Sequence, residues 1–374
     1  MSKSIFEEVG ETPGDGARPS GGGGAGGAEA ARLQNRKLIR IWLFVLAALV
    51  IVQILVGGLT RLTDSGLSIT EWRPVTGVIP PLSDAAWEAE LEKYRSTTEY
   101  QVQNRGMSMA EFKVIYWWEW GHRQWGRLIG LVFVLPFAWF LYQKTIPQGW
   151  TGRIALLGGL GLLQGVIGWW MVASGLTGRL DVSQYRLAVH LGLAFVILGM
   201  IFWCALSLGR EDWALLQARR RREPSLRLYA NALVGLAFLQ ILMGAFVAGM
   251  DAGRIYTQWP GMGEGIYPAG EPFLPFDEPA AAQFVHRVLG YLLVLAALFF
   301  WWASRRSAFA KTRLWGAIAA GLVTAQAALG IVTLIHAAPP SWSILHQFGA
   351  VLLFAALVHA AHQAAYPKDE RIAA

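Results

Sequence analysis

Long apolar runs separated by short polar segments dominate the chain. Eight of these runs approach or exceed the roughly 20 residues that an α-helix needs to cross a bilayer. The pattern predicts an all-α polytopic membrane protein rather than a globular domain around one core. We predict membrane-spanning helices at 38–60, 117–142, 153–174, 186–208, 228–250, 281–303, 314–335 and 342–363.

Composition supports this class and narrows the chemistry. Of the 374 residues, 54% are hydrophobic and 15% charged, whereas a soluble domain carries about 25% charged residues. The net charge of +7 comes from basic residues at helix ends, so we expect contact with membrane lipid and no nucleic acid. The one cysteine, Cys204, lies in an apolar run, which excludes an intrachain disulfide and a cysteine-based metal site.

Lysine and arginine sort the loops into two sets. They precede the first span, fill alternate loops, as in Arg219–Arg222, and close the chain at Lys368 and Arg371, whereas the other loops are acidic. The positive-inside rule then makes both termini cytoplasmic. We expect a multi-pass protein of the cell inner (cytoplasmic) membrane.

Two polar segments have their own predictions. The Gly- and Ala-rich segment 1–31 is typical of a disordered cytoplasmic tail. The long first outer loop contains "SDAAWEAELEKYRSTTEYQ", which predicts a polar helix capped at Ser83 or Asp84.

The chain repeats itself. "VQILVGGLTRLTDSG" resembles "LQILMGAFVAGMDAG", "EWGHRQWG" resembles "QFVHRVLG", and "LQGVIGW" resembles "AQAALGI". An even number of spans per repeat preserves orientation, so we predict two pseudo-symmetric four-helix bundles arranged as a parallel tandem repeat. The bundles are expected at 32–208 and 228–363, joined by a basic cytoplasmic linker at 209–227 and followed by a cytoplasmic tail at 364–374.

Four histidines recur at one depth. His122, His190, His286 and His346 lie near the outer ends of the even-numbered spans. Two imidazoles on two helices of one bundle indicate axial ligation of a haem iron, whereas structural zinc needs four ligands. A glycine follows His122 and His286 by four residues, which leaves room for a flat macrocycle. Four separate core histidines are the alternative.

Two further residue types accompany the histidines. Arg123 and Arg287 each follow a histidine and are candidate partners of haem propionates, or arginines that snorkel to the interface. Glu119 has Gln283 at the equivalent position of the second half. An amide cannot transfer protons. This difference therefore suggests that the two halves have different functions, with Glu119 acting as an acid or base in the first half. The alternative for Glu119 is an ion pair with Arg123 or Arg127.

With these residues in view, residues 35–363 resemble the haem A synthases, of the long-loop type found in alphaproteobacteria and related to the mitochondrial enzyme. The resemblance rests on "GGLTRLTDSGLSITEWRPVTGVIPP", "EWGHRQWGRLIG", the "VHR" at Val285 and "LHQFG" at Leu345. It implies two four-helix bundles and oxidation of the C8 methyl of haem O to a formyl group, which gives haem A for terminal oxidases.

The resemblance also implies roles for the site residues. His286 and His346 ligate a haem B cofactor, with Arg287 beside it. His122 and His190, with Arg123, belong to the pocket of the substrate haem, and Glu119 is the catalytic acid. Some relatives carry a cysteine pair in the first outer loop. This chain has none, so a thiol–disulfide route for electrons through that loop is excluded.

Two other functions compete with the synthase. A non-enzymatic dihaem b-type electron carrier predicts two equivalent permanent haems, and the Glu119/Gln283 difference disfavours it. A haem transporter would need acidic or broken helices at the midplane, which the sequence lacks. Haem O synthase, an electron donor and a second copy of the chain are candidate partners on which the sequence does not decide.

Overall fold

The structure, a computed structural model, describes residues 22–368, and this part of the chain is helical without a β-sheet. Two 3₁₀ turns, Thr76–Val78 and Ala252–Arg254, interrupt the outer loops. The α-helices are α1 (Gly22–Leu62), α2 (Asp84–Arg95), α3 (Thr98–Val102), α4 (Met109–Tyr142), α5 (Thr151–Gly175), α6 (Gln184–Leu208), α7 (Asp212–Arg221), α8 (Pro224–Gly249), α9 (Pro279–Ser304), α10 (Ala310–Ile335) and α11 (Pro340–Ala365).

The predicted class, an all-α polytopic membrane protein, is confirmed. Within the described range, eight helices are long and apolar enough to cross a membrane, and they coincide with the predicted spans. Two helices start well ahead of their predicted spans, α1 at Gly22 against the predicted 38 and α4 at Met109 against the predicted 117. Ser108 caps the first turn of α4 and Glu111 bonds back to the cap backbone, and this reciprocal box stabilises extra turns in the polar loop.

The polar segments are more helical than the sequence indicated. Residues 1–21 of the predicted tail lie outside the described residues, but α1 already begins at Gly22. The predicted linker 209–227 contains α7. In the first outer loop, the Ser83 side chain accepts a hydrogen bond from the Ala86 amide and begins α2, as predicted.

The spans form two rings of four helices with the same order of neighbours. One ring consists of α1, α4, α5 and α6, and the other of α8, α9, α10 and α11. The rings meet along α1, α6, α8 and α11, where most of the large buried side chains lie. Across this seam Phe195 and Phe354 pack edge to face at 5.3 Å, and the Gln347 amide donates to the Ile54 carbonyl at 2.8 Å.

The outer ends of α1 and α8 turn in the same way. Asp64 and Asp251 follow these helices, and both adopt a left-handed backbone, with φ of 48° and 50°. The Arg61 guanidinium donates to both carboxylates at 2.8 Å and lies 3.4 Å from Asp181. One arginine of the first ring therefore ties the two rings together at the end where α1 and α8 terminate.

Candidate functional site

A cavity of about 1860 Å³ reaches into both rings. All of the predicted site residues line it. They are Glu119, His122, Arg123, His190, His286, Arg287 and His346.

The histidines of the second ring face each other across this cavity. The ring centres of His286 and His346 are 6.5 Å apart, at an interplanar angle of 78°. An iron held by one nitrogen of each ring, with metal–imidazole bonds of about 2.0–2.1 Å, needs centres roughly 6.4 Å apart. The pair therefore fits axial ligation of a haem. Among the described residues, no group of three or more His, Cys, Asp or Glu side chains could hold a metal ion, so a two-ligand site suits this chain better than a zinc centre.

Each of the four histidines rests on the same kind of seat, a glutamine and a glycine one helical turn apart on the preceding span. The glutamine amide donates to the backbone carbonyl of the histidine. The four bonds are Gln53 to His122 at 3.1 Å, Gln164 to His190 at 2.9 Å, Gln240 to His286 at 3.0 Å and Gln326 to His346 at 2.8 Å.

The glycine of each seat lies against the imidazole. A methyl group at that glycine would lie 2.7 Å (Gly57, His122), 2.9 Å (Gly168, His190), 3.2 Å (Gly244, His286) or 2.8 Å (Gly330, His346) from the ring Cε1 atom. The three contacts below 3.0 Å are shorter than real Cβ atoms make, and the 3.2 Å contact at Gly244 is tighter than nine in ten of them. Glycine is therefore required by close approach, and the seat fixes both the backbone and the ring of each histidine.

Sequence reasoning missed these seats. The signal is present in the sequence, because Gln-x-x-x-Gly occurs on all four odd-numbered spans. The alignment of the two halves reveals the match between halves, but not the match between the two helix pairs within one half.

The glycines that follow His122 and His286 also differ from expectation. Gly126 and Gly290 face the seat glutamines, and a methyl group at either glycine would lie 3.6 or 3.5 Å from the amide nitrogen.

Glu119 is buried at the edge of the cavity, 3% exposed, and accepts hydrogen bonds from three donors. One carboxylate oxygen accepts from the Ser68 hydroxyl and the Ile69 amide, each at 2.7 Å. The other accepts from Arg123 at 2.5 Å. Of the two predicted ion-pair partners, Arg123 is therefore the observed one, and Arg127 instead donates to the carbonyls of the 73–74 segment.

Gln283 occupies the same place in the second ring with different contacts. It is also 3% exposed, and its amide donates to the Tyr256 carbonyl at 2.9 Å, while its carbonyl oxygen has no partner. Both rings thus hold a polar side chain one turn before the first histidine. Only the side chain of the first ring, Glu119, is ionisable, and only this side chain accepts several hydrogen bonds.

Arg123 and Arg287 anchor the outer loops. Arg123 donates to the carbonyls of Ile69 and Glu71 at 2.8 and 2.9 Å. Arg287 donates to the carbonyls of the 256–261 segment at 2.8–2.9 Å. Its Nε is buried without a partner. Much of each guanidinium is therefore engaged, which sequence reasoning did not anticipate.

The remaining histidines lie away from the two pairs. His336 follows α10 and contacts the Val332 carbonyl at 2.8 Å. His359 stacks on Trp315 at 3.9 Å, and His362 contacts the Ser207 hydroxyl at 3.2 Å. These contacts are consistent with packing roles near the helix ends.

A second buried carboxyl lies in the outer loop above the first ring. Glu99 of α3 is 2% exposed and lines the same cavity. Burial and the charges of Asp181, Asp64 and Glu119 raise the pKa of Glu99 to about 8. Burial, with the charges of Asp251 and Asp64, also raises the pKa of Asp181, although Arg61 opposes this shift. Two carboxyl groups at this end of the cavity, Glu99 and Asp181, therefore have raised pKa values.

Comparison with known proteins agrees with this arrangement. The COX15-CtaA family model, described as cytochrome oxidase assembly protein, matches residues 40–358. A protein of Dinoroseobacter shibae named heme A synthase is 55% identical, over 98% of this chain and 97% of its own. Proteins with the same name from Ruegeria sp. strain TM1040 and Cereibacter sphaeroides strain ATCC 17029 are 51% and 50% identical, over 98% of this chain and 97% and 96% of theirs. The chain therefore belongs to the COX15-CtaA family of cytochrome oxidase assembly proteins.

Proposed function

We propose that this protein is a haem A synthase, an oxidoreductase that converts the C8 methyl group of haem O to a formyl group. Its full-length relatives carry that name. Its cavity is lined by two histidine pairs, one in each ring of helices. The product, haem A, would serve terminal oxidases, in keeping with the family description.

The second ring is the proposed site of a resident haem B. The 6.5 Å between the ring centres of His286 and His346 supports bis-histidine ligation. When bound there, haem B would supply reversible one-electron transfer. Gln283 cannot exchange protons, which suits a site that only passes electrons. The buried, unpartnered Nε of Arg287 leaves a donor for a propionate.

The first ring is the proposed substrate site, with haem O between His122 and His190. Conversion of a methyl to a formyl group replaces C–H bonds by a C=O bond. Water or O2 supplies the oxygen atom, a separate electron partner takes or gives the electrons, and protons move with them, so a side chain that exchanges protons beside the substrate would take part. Glu119 lies one turn before His122 and lines the cavity. The contrast between Glu119 and Gln283, two buried side chains at equivalent places, is the observation that carries this division of labour.

Arg123 has two roles in this proposal. Its bond to Glu119 at 2.5 Å fixes the position of the carboxyl group, and its bonds to Ile69 and Glu71 hold the loop that covers the site. Contact with a propionate of the substrate haem stays a prediction, because the guanidinium has few donors left.

The domain and membrane assignments extend the proposal. Residues 32–208 form the substrate bundle and 228–363 the haem B bundle, related by a pseudo-twofold axis along the membrane normal. The matching turns at Asp64 and Asp251 support this relation. The protein lies in the cell inner membrane with both termini cytoplasmic. A reporter fused after Glu99 should be active only outside the cytoplasm, and cytoplasmic activity would refute this topology.

The partners beyond haem O stay predictions. They are substrate transfer from a haem O synthase, a separate electron donor and self-association.

Extraction of pigments tests the function directly. The protein should be co-expressed with a source of haem O in a host that makes no haem A, and the haems separated and weighed by mass spectrometry. A formyl-bearing haem is expected. Haem O alone, from membranes that contain the folded protein with its resident haem, would favour the non-enzymatic dihaem carrier.

A further inference from the structure

The two rings differ in how their second and third spans pack below the histidines. In the second ring, α9 and α10 pack along their length. Leu293, Ala297 and Phe300 of α9 are buried in one core with Ala319 and Val323 of α10. In the first ring, α4 and α5 touch only sparsely, and α4 has no buried residue beyond Glu119. The first ring is therefore splayed where the second is closed.

The sequence explains this splay. When His122 is aligned with His286, Phe133 stands where the second ring has the fully buried Ala297. When Gln164 is aligned with Gln326, Gly161 stands where the second ring has the buried Val323. The bulky phenyl group of Phe133 on α4 and the missing side chain of Gly161 on α5 prevent close packing of these two helices.

The Phe133 side chain of α4 lies between α4 and α5. Its ring lies against Gly158 of α5 and packs on Trp42 and Phe137 at 5.5 and 5.4 Å between ring centres. Beyond this contact the α5 face is bare, because a methyl group at Gly159, Gly161 or Gly165 would meet nothing within 4 Å. The space beside α5 is therefore open and apolar.

This space joins the cavity to the outer surface of the helices. Val134 of α4 and Leu162 of α5 both line the cavity, yet they are 56% and 77% exposed. Such exposure means that both side chains face open space rather than a packed neighbouring helix. Val134 follows His122 by twelve residues, which places it about 18 Å further along the helix axis.

We infer that the gap between α4 and α5 holds the isoprenoid tail of haem O and admits it laterally from the bilayer. This inference rests on the proposed function, with the first ring as the substrate site. Haem O carries a long farnesyl-derived chain, whereas haem B has none. An apolar chain already dissolved in the bilayer enters an apolar gap without crossing water. The close packing of α9 and α10 suits the tail-less cofactor.

A reversible block of the gap tests this inference. In a Cys204→Ala background, Leu162→Cys is labelled with a bulky aromatic methanethiosulfonate, which dithiothreitol later removes. Thr324→Cys, the aligned position in the second ring, also lines the cavity and is exposed, and serves as the matched control. Binding of haem O and of tail-less haem B to the first ring is measured by optical titration of protein that already holds its resident haem.

The label on Leu162→Cys should weaken binding of haem O at least about ten-fold, with recovery after dithiothreitol and little change for haem B. The label on Thr324→Cys should leave both titrations unchanged. Equal binding of haem O with and without the Leu162→Cys label would overturn the inference, as would equal weakening of both haems. If the unlabelled protein yields no haem A from haem O, the proposed function fails and the inference fails with it.

Discussion

His286 and His346 face each other, with the centres of their imidazole groups 6.5 Å apart. Each imidazole rests on a glycine of the neighbouring span. In the proposed function, this relationship would hold both axial ligands of a haem at the required separation. The same kind of seat lies under His122 and His190, so the proposed substrate site has a similar construction.

The first prediction concerns the resident haem. His286→Ala and His346→Ala should each abolish the low-spin bis-histidine absorption spectrum of the purified protein, because iron would keep only one axial imidazole. His336→Ala, which removes a histidine bonded to the Val332 carbonyl, should keep the spectrum. A full bis-histidine spectrum in both pair variants would show that these residues are not the ligands.

The second prediction concerns the glycine seats. Gly330→Ala would bring a methyl group 2.8 Å from the His346 ring, and we expect haem content to fall several-fold because the imidazole must turn away. Gly321→Ala, on the same helix with nothing within 4 Å, is the control. It should keep the haem and gain up to about 1 kcal/mol of helix stability. Equal haem content in the two variants would remove the steric role of the seat.

The third prediction concerns pH. The pKa of Glu99 is about 8 in the folded protein, mainly through burial, against an ordinary value of 4.5. Between these values the folded protein binds more protons than the unfolded chain, so stability should fall as pH rises from about 5 to 8. Glu99→Gln should remove this component and flatten the pH dependence of the apparent melting temperature.

The exposed Glu92 of the same loop provides the comparison for Glu99. Its side chain is 72% exposed and pairs with Arg95, so Glu92→Gln should keep the wild-type slope between pH 5 and 8. Identical slopes for Glu99→Gln and the wild type would show that the Glu99 carboxyl does not retain its proton in the folded state.

Much of the fold could be predicted because hydropathy and charge act on whole segments. Apolar runs such as 186–208 must be helical in lipid, where every backbone polar group needs an internal partner. The helical linker segment α7 was missed because its polar residues have no apolar periodicity to reveal it. Residues 1–21 of the predicted tail lie outside the described part of the chain.

The candidate site could be predicted only in part. The histidines stand out in sequence because ionisable groups are rare within spans. The seat partners do not, since Gln164 and Gly168 read as ordinary span residues until α5 is placed beside α6. Likewise, the bonds of Arg287 to loop carbonyls depend on how the outer loop folds back, and no local pattern encodes that.

The central claim is that Glu119 moves protons for the oxidation while the second ring only passes electrons. Glu119→Gln copies the amide found at Gln283 and should keep the fold and the resident haem. Conversion should fall by about 10²–10⁴-fold, the usual contribution of a general acid or base. Glu119→Asp, which keeps a carboxyl group, should restore part of the activity. Glu111→Gln, in the cap of the same helix, should convert normally because glutamine also completes a capping box.

The decisive measurement is the ratio of haem A to haem O, with any alcohol intermediate, in membranes of Glu119→Gln, alongside the spectrum of its resident haem. The account predicts haem O or the alcohol in place of haem A, with the resident haem spectrum intact. A normal yield of haem A would contradict it and leave Glu119 as the buried ion-pair partner of Arg123.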